Sequence, residues 1–212
     1  MKKYLWVVVL ILSAFVAYSF TSQTRQQSRS TKPTNLPDYP VTQITGTPYT
    51  NPNFGYSLTI PENLVPTKNG ANNILIGPKK AVAGPGPANF IYISVYTGVE
   101  QPGEVYNFYP ENYELLKALE IGEGISLAPP DQAESFTYTR VADVMIANQQ
   151  VRSFENYKPW EFPVGTTETR MMFENGNQIY ILGYYTGGDG VAAEGVLDDQ
   201  TALSILQSLS LP

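Results

Sequence analysis

Hydrophobic and polar positions divide the chain into three parts. Residues 4–20 are uncharged and largely apolar, and they follow Lys2 and Lys3. A helix of this length would span roughly 26 Å at about 1.5 Å per residue, close to the thickness of a bilayer's hydrocarbon core. The pattern predicts an N-terminal apolar helix within residues 1–20. Three interpretations remain open: a retained single-pass membrane anchor, a cleaved signal peptide, and a buried core helix.

The charges beside this segment bear on its orientation. Lys2 and Lys3 favour a cytoplasmic amino end, whereas Arg25, Arg29 and Lys32 favour the opposite orientation more weakly. No second long apolar run follows, so we expect the rest of the chain to lie outside the cytoplasm. The predicted location is the cell membrane, single-pass, with an extracytoplasmic C-terminal domain. If the apolar segment is cleaved, the domain is secreted.

Residues 21–48 are the second part and are rich in Ser, Thr, Gln, Pro and Asn. Such a composition buries too little apolar surface to offset chain entropy, so it predicts a disordered linker. Residues 49–212 are the third part, in which short apolar segments alternate with turn signals, and we expect one folded domain there. Its predicted strands are residues 55–60, 73–77, 90–96, 144–147, 151–157, 167–173 and 178–186.

Two helices are predicted between and after these strands. The first covers residues 110–121, with Leu115, Leu116 and Leu119 forming the stripe that faces a core. The second begins after Asp198, a residue type that caps helix amino ends. Its apolar positions follow helical spacing, at Ala202, Ile205, Leu206 and Leu209.

A hairpin is the clearest local signal. Residues 167–173 alternate, with Glu168 and Arg170 opposite the more apolar face, and the strand leads to Asn175-Gly176. That dipeptide favours a type I′ turn, which needs positive φ at both central residues. With the two helices, the predicted order β-β-β-α-β-β-β-β-α indicates an α+β fold, an antiparallel sheet with helices packed against it.

Three segments together resemble the PsbP-like family: Tyr-Thr-Asn-Pro-Asn-Phe-Gly-Tyr-Ser-Leu-Thr-Ile-Pro at residues 49–61, the Asn175-Gly176 hairpin, and Ile-Leu-Gln-Ser-Leu-Ser-Leu at residues 205–211. The resemblance implies an α/β/α sandwich with a central antiparallel β-sheet. It also implies a non-catalytic accessory protein, and it brings no shared catalytic motif and no cofactor.

Composition excludes several classes of chemistry. The chain has no Cys and no His, so it forms no disulfide and contains no Ser-His-Asp triad, Cys-His pair or zinc finger. All 19 acidic residues lie at or after Asp38, where only eight Lys and Arg remain, giving a net charge of 8 − 19, or −11. Nucleic acid needs basic patches, so it is not expected as a partner.

Carboxylates are the remaining candidates for chemistry. Five of them lie on or beside the first predicted helix, where neighbouring positions favour a solvated surface rather than an acid–base pair facing across a cleft; these are Glu104, Glu111, Glu114, Glu120 and Glu123. A second group could bind a divalent cation weakly, and its members are Asp189, Glu194, Asp198 and Asp199. The Gly-rich residues 186–190 lack the spacing of a phosphate or EF-hand loop and indicate a tight strand exit.

Aromatic residues provide the most plausible binding surface. The chain has 15 Tyr, most of which sheet packing explains. A protein- or ligand-binding patch would form if several were exposed together near loops. The candidates are Tyr106, Tyr109, Trp160, Phe162, Tyr184 and Tyr185.

The function predicted from the sequence is non-catalytic. We expect an extracytoplasmic accessory protein that is tethered to a membrane and binds another protein in an envelope complex, without catalytic, cofactor or metal residues. The alternative is a secreted ligand- or carbohydrate-binding module that uses exposed aromatics. A carboxylate-dependent hydrolase is a third possibility.

Overall fold

The computed structural model describes residues 44–78, 90–99, 110–127, 135–157, 165–187 and 197–212. The predicted apolar helix and the predicted linker up to residue 43 lie outside this range. Within it, neither helix is long and apolar enough to cross a membrane. The described elements are β1 (Thr47–Thr50), β2 (Ser57–Ile60), β3 (Leu64–Lys68), β4 (Asn73–Pro78), β5 (Ile91–Tyr96), α1 (Pro110–Lys117), β6 (Gly124–Leu127), β7 (Phe136–Ile146), β8 (Gln149–Asn156), β9 (Thr166–Asn175), β10 (Gln178–Gly187) and α2 (Asp199–Gln207).

The strands form one large and one small antiparallel sheet. Eight strands pair in the order β3-β4-β5-β10-β9-β8-β7-β6, and β1 pairs with β2 separately. With the two helices this is a mixed α+β fold, which confirms the predicted class. Strands β1, β3 and β6 were not predicted, and β7 begins at Phe136 rather than at residue 144.

Each face of the large sheet carries its own core. Along β10, Tyr180 and Leu182 belong to one cluster of buried residues, whereas Ile181 and Tyr185 belong to the other. Because side chains alternate across a strand, the two clusters lie on opposite faces. The first, the α2-side core, contains the buried residues of α2 together with Leu58 and its neighbours on β2. The second, the α1-side core, contains the buried residues of α1.

Helix α2 matches its prediction. The Asp198 side chain accepts a hydrogen bond from the Thr201 backbone N–H at 2.7 Å, so it caps the amino end as expected. All four predicted core positions are buried in the α2-side core, namely Ala202, Ile205, Leu206 and Leu209.

Helix α1 is shorter than predicted, and one residue of its expected core stripe points outward. It ends at Lys117 rather than at residue 121, and Leu115 is 47 % exposed. Contacts with β7 end the helical pattern. The Leu119 carbonyl accepts a hydrogen bond from Arg140 Nη1 at 2.8 Å, and the Gly122 N–H donates to the Arg140 carbonyl at 2.8 Å.

The predicted hairpin forms, but its turn lies one residue later than expected and is of a different type. Asn175 pairs with Gln178, so the two-residue loop is Gly176-Asn177 rather than Asn175-Gly176. Only Gly176 has positive φ there, at 60°, as in a type II′ turn. Among the described residues, the only non-glycine positions with positive φ are Ala147 (49°) and Asn148 (62°), which form the type I′ loop between β7 and β8.

Candidate functional site

The predicted metal-binding residues that the structure describes have structural partners. Asp198 caps α2, and Asp199 accepts a hydrogen bond from Thr186 Oγ1 at 2.6 Å. Asp189 and Glu194 lie outside the described residues. Across the part of the chain that the structure describes, no group of three or more Asp and Glu is placed to bind a metal ion.

The carboxylates near α1 lie mainly at the surface, as expected. Glu111, Glu114 and Glu120 are exposed. Lys117 forms a salt bridge with Glu114 at 2.8 Å and with Glu174 of β9 at 3.0 Å. Hydrogen bonding to Lys117 lowers the pKa of the Glu174 carboxyl. Glu104 lies outside the described residues.

The predicted aromatic patch does not include the two tyrosines at the end of β10. Tyr184 is buried in the α2-side core and Tyr185 in the α1-side core. Tyr185 packs against Phe90, with ring centroids 5.1 Å apart. Neither tyrosine is therefore available to an external ligand. The remaining candidates lie outside the described residues, and they are Tyr106, Tyr109, Trp160 and Phe162.

The structure contains a buried polar cluster that the sequence did not predict, formed by Tyr92, Tyr138, Glu168 and Arg170. Glu168 and Arg170 are only 2 % and 3 % exposed. Arg170 Nη2 donates to Glu168 Oε1 at 2.6 Å, and Arg170 Nε donates to the same oxygen at 2.9 Å. This is a charge-assisted pair inside the α1-side core, where an unpaired charge would be strongly destabilising.

Both tyrosines complete the hydrogen bonding of that ion pair. The Tyr92 hydroxyl donates to Glu168 Oε1 at 2.7 Å and accepts from Arg170 Nε at 2.9 Å. The Tyr138 hydroxyl donates to Glu168 Oε2 at 3.1 Å. The Arg170 guanidinium also lies over both rings, 5.8 Å from the Tyr92 centroid and 5.1 Å from that of Tyr138.

Electrostatics in the buried polar cluster favour the protonated forms of its tyrosines and its arginine. Burial raises the pKa of the Tyr92 and Tyr138 hydroxyls above the ordinary value, and Arg170 only partly opposes this effect. Burial disfavours the charge on Arg170, but Glu168 and the neighbouring tyrosines together outweigh this effect, so the pKa of Arg170 is raised. The tyrosines therefore remain hydroxyl donors and the guanidinium remains charged.

Gly183 makes room for this arrangement. It lies opposite Tyr92 on β5 and opposite Arg170 on β9. A Cβ atom at this position would be 2.3 Å from the Tyr92 hydroxyl oxygen and 2.7 Å from the Thr169 carbonyl oxygen. A glycine inside a strand often marks such a close approach, so Gly183 was the sequence signal that could have indicated the cluster.

A second feature is an exposed surface on α1 and the turn that follows it, which we call the α1 surface. Its apolar part consists of Leu115, Ala118 and Ile121, all exposed. Exposed acidic residues are interspersed with them, at Glu111, Glu114 and Glu120. The surface therefore combines apolar side chains with carboxylates on α1 and the turn after it. A catalytic arrangement is not apparent in it, whereas contact with another macromolecule suits its chemistry.

Comparisons with known proteins provide no family assignment. No family model matches the chain, and no curated protein matches it. One similar solved structure is a crystal structure from Bacteroides thetaiotaomicron VPI-5482, which is 11 % identical with a TM-score of 0.40. The match covers 80 % of this chain and 49 % of that chain, so this chain spans about half of that protein's length. A similarity this low transfers neither a fold nor a function.

Proposed function

We propose that this protein is a non-catalytic, PsbP-like accessory protein that is tethered to a membrane through residues 4–20. Its domain acts outside the cytoplasm by binding another protein of an envelope complex. The observation that carries the proposal is the α1 surface, where Leu115 is 47 % exposed among Glu111 and Glu114. Leu115 is joined by the exposed Ala118 and Ile121, and several exposed apolar side chains on one surface are suited to a protein contact.

Two further features support the proposal. The apolar segment and the polar residues after it suit a tethered domain. Helix α1 packs into the core on one face of the large sheet and α2 packs into the core on the other face, as the α/β/α sandwich of PsbP-like proteins would require. A non-catalytic role accords with a chain that has no His and no Cys to act as base or nucleophile.

Site-specific photo-crosslinking tests the proposed binding role. A photo-reactive phenylalanine analogue is placed at Leu115 of the full-length chain, which is expressed in its native host and irradiated in intact membranes. We expect one envelope protein to be captured reproducibly. The matched control places the same analogue at Met145, which is 51 % exposed and lies on β7. If the analogue at Met145 gave no adduct despite similar exposure, this result would show that capture depends on the α1 surface.

Other outcomes would contradict the proposal. Identical adducts at positions 115 and 145 would indicate non-specific contact, and the absence of any adduct at position 115 would remove the proposed binding surface. Fractionation of the same cells tests the tether separately. Recovery of a shortened protein in the soluble exported fraction would indicate a cleaved signal peptide. A search for small ligands would then replace the search for an envelope partner.

A further inference from the structure

The pairing of β5 with β10 poses a problem of register. Strands joined by a tight turn have their register fixed by that turn, as for β9 and β10. Strand β5 ends at Tyr96 and β10 begins at Gln178, so no turn connects them. The pairing places Tyr92 opposite Gly183 and Ile93 opposite Leu182.

Hydrophobic alternation alone leaves a choice of registers. A slip of one residue would move every side chain of one strand to the other face and so exchange its residues between the two cores. A slip of two residues keeps every side chain on its own face. Strand β10 would then still present apolar residues to both cores, because Ile179, Ile181 and Tyr185 share one face and Tyr180, Leu182 and Tyr184 share the other.

The buried polar cluster distinguishes these registers. In the observed register Tyr92 lies opposite Gly183, and its hydroxyl reaches across β10 to Glu168 on β9. A two-residue slip would place Ile181 or Tyr185 opposite Tyr92. A side chain would then occupy the space that Gly183 leaves open, where even a Cβ atom comes within 2.3 Å of the hydroxyl oxygen. Glu168 and Arg170 would also lose a hydrogen-bonding partner inside the core.

The two oxygens of Glu168 bind tyrosines on the same face of the sheet, from strands that lie on either side of β9. Glu168 Oε1 accepts from Tyr92 of β5, whereas Glu168 Oε2 accepts from Tyr138 of β7. The sheet order places β10 between β5 and β9 and places β8 between β9 and β7. The hydrogen bonds of this one carboxylate therefore depend on the alignment of five adjacent strands, from β5 to β7.

We propose that the buried polar cluster of Tyr92, Tyr138, Glu168 and Arg170 selects the strand register of the central sheet, with Gly183 as the position that admits Tyr92. This role is separate from the proposed binding at the α1 surface. It predicts that removal of the cluster creates alternative pairings, in addition to any loss of stability.

Nuclear magnetic resonance of the full-length chain in detergent micelles tests this role. Tyr92→Phe removes one hydroxyl and leaves the ion pair in place. We expect a second set of backbone resonances for β5 and β10, at up to roughly 10 % of the total, with cross-strand contacts that pair position 92 with position 181 or 185. Tyr180→Phe is the matched control, because the buried Tyr180 ring lies in the α2-side core, outside the cluster. It should show one set of resonances.

A paired variant removes the charges together. Glu168→Met with Arg170→Met should keep a folded sheet but show more register heterogeneity than Tyr92→Phe, since apolar side chains tolerate either alignment. A single native set of cross-strand contacts in Tyr92→Phe would overturn the proposal, and the cluster would then contribute stability alone. If the paired variant fails to fold, the single hydroxyl variants Tyr92→Phe and Tyr138→Phe decide the question.

Discussion

Glu168 and Arg170 show how far a buried charge depends on its partner. Each would be costly to bury alone, but the bonds at 2.6 and 2.9 Å and the two tyrosine hydroxyls satisfy both. Because strand β9 buries both of its faces, water cannot replace a missing partner. The ion pair therefore affects stability mainly when one member is removed, because the other charge is then buried without a partner.

Arg170→Met should destabilise the domain strongly. It leaves Glu168 buried without a cation, for which we expect a loss of about 3–5 kcal/mol in the free energy of unfolding. Urea denaturation measures this loss. Arg152→Met is the control, since Arg152 is a partly exposed arginine on the neighbouring strand β8, and it should change stability by less than about 1 kcal/mol. Equal stability of the two variants would contradict this account of the ion pair.

Gly183→Ala tests the close approach inside β10. The new Cβ atom would meet the Tyr92 hydroxyl and the Thr169 carbonyl oxygen, which belongs to the backbone and cannot turn aside. We expect a loss of about 3 kcal/mol from overpacking, measured by urea denaturation. Gly98→Ala serves as a comparison because, among the described residues, nothing lies within 4 Å of its Cβ position, and only its positive φ is strained. That variant should lose about 1 kcal/mol, and a larger loss than at Gly183 would refute the steric explanation.

Alkaline pH should unfold the domain through its buried tyrosines. Unfolded tyrosine loses its proton near pH 10, whereas burial raises the pKa of Tyr92 and Tyr138 in the folded state. Their contribution to stability is therefore complete below pH 10 and is lost as the pH rises above it. Each tyrosine removes up to about 1.4 kcal/mol per pH unit in that range.

Tyrosinate absorbance and circular dichroism, recorded together, measure this alkaline transition. Part of the ionisation should coincide with loss of the folded spectrum, and Tyr138→Phe should reduce that part. Complete ionisation of all tyrosines while the folded spectrum persists would show that the buried hydroxyls titrate normally.

At the scale of single elements, the cap of α2 gives a direct test. The Asp198 side chain accepts hydrogen bonds from the Thr201 backbone N–H at 2.7 Å and from Thr201 Oγ1 at 3.0 Å. Asp198→Ala removes both, and we expect a loss of about 1 kcal/mol in thermal or urea denaturation. Asp198→Asn keeps an acceptor oxygen and should retain most of the stability. A similar loss in both variants would indicate that charge, rather than the cap, is responsible.

Elements with strong periodicity could be predicted from sequence, and those defined by distant contacts could not. The α2 region has four apolar positions at helical spacing and an N-cap, so its start and its buried face were predicted correctly, although Leu209 follows the end of the helix at Gln207. Strands β3 and β6 are edge strands of four or five residues, and they form only because β4 and β7 pair with them. Their own sequences carry too few alternating positions to indicate a strand.

The side chains of β7 change face partway along the strand, which explains why the first part of β7 was not predicted. Arg140 pairs with Phe154 and Ala142 pairs with Ser153, so Val141 is an extra residue that forms a β-bulge. Before the bulge Tyr138 faces the α1-side core, and after it Val144 faces the α2-side core. The alternation is broken in mid-strand, and the predicted strand, residues 144–147, covered only the last three residues of β7. On β9, alternation placed Glu168 and Arg170 on one face, but it could not show that a helix and tyrosines cover that face.

At the scale of the whole molecule, the structure brings two distant segments together. Residues 49–61 and 205–211, which carried much of the family resemblance, are neighbours. The Ser57 N–H donates to the Ser210 carbonyl at 2.9 Å, and the Ser210 N–H donates to the Ser57 carbonyl at 2.8 Å. The Thr59 N–H also donates to Ser208 Oγ at 2.9 Å. The small sheet therefore depends on the segment after α2 for its attachment.

Removal of residues 209–212 should detach the small sheet while the large sheet stays paired. The truncation removes the buried Leu209 and the reciprocal bonds between Ser57 and Ser210. We expect a loss of about 2–4 kcal/mol in the free energy of unfolding, dominated by Leu209. Hydrogen exchange should show lost protection at the Ser57 amide, whereas the amides that pair β9 with β10 should keep most of theirs.

A shorter truncation separates these contributions. Removing only Leu211 and Pro212 leaves Leu209 and the Ser57–Ser210 pairing intact, and it should cost about 1 kcal/mol because Leu211 is only partly buried. If both truncations reduced protection at Ser57 equally, the backbone pairing with Ser210 would not be what holds the small sheet. If the longer truncation instead exposed the β9–β10 amides, the two sheets would unfold as one cooperative unit, since the segment after α2 would then support the entire α2-side core.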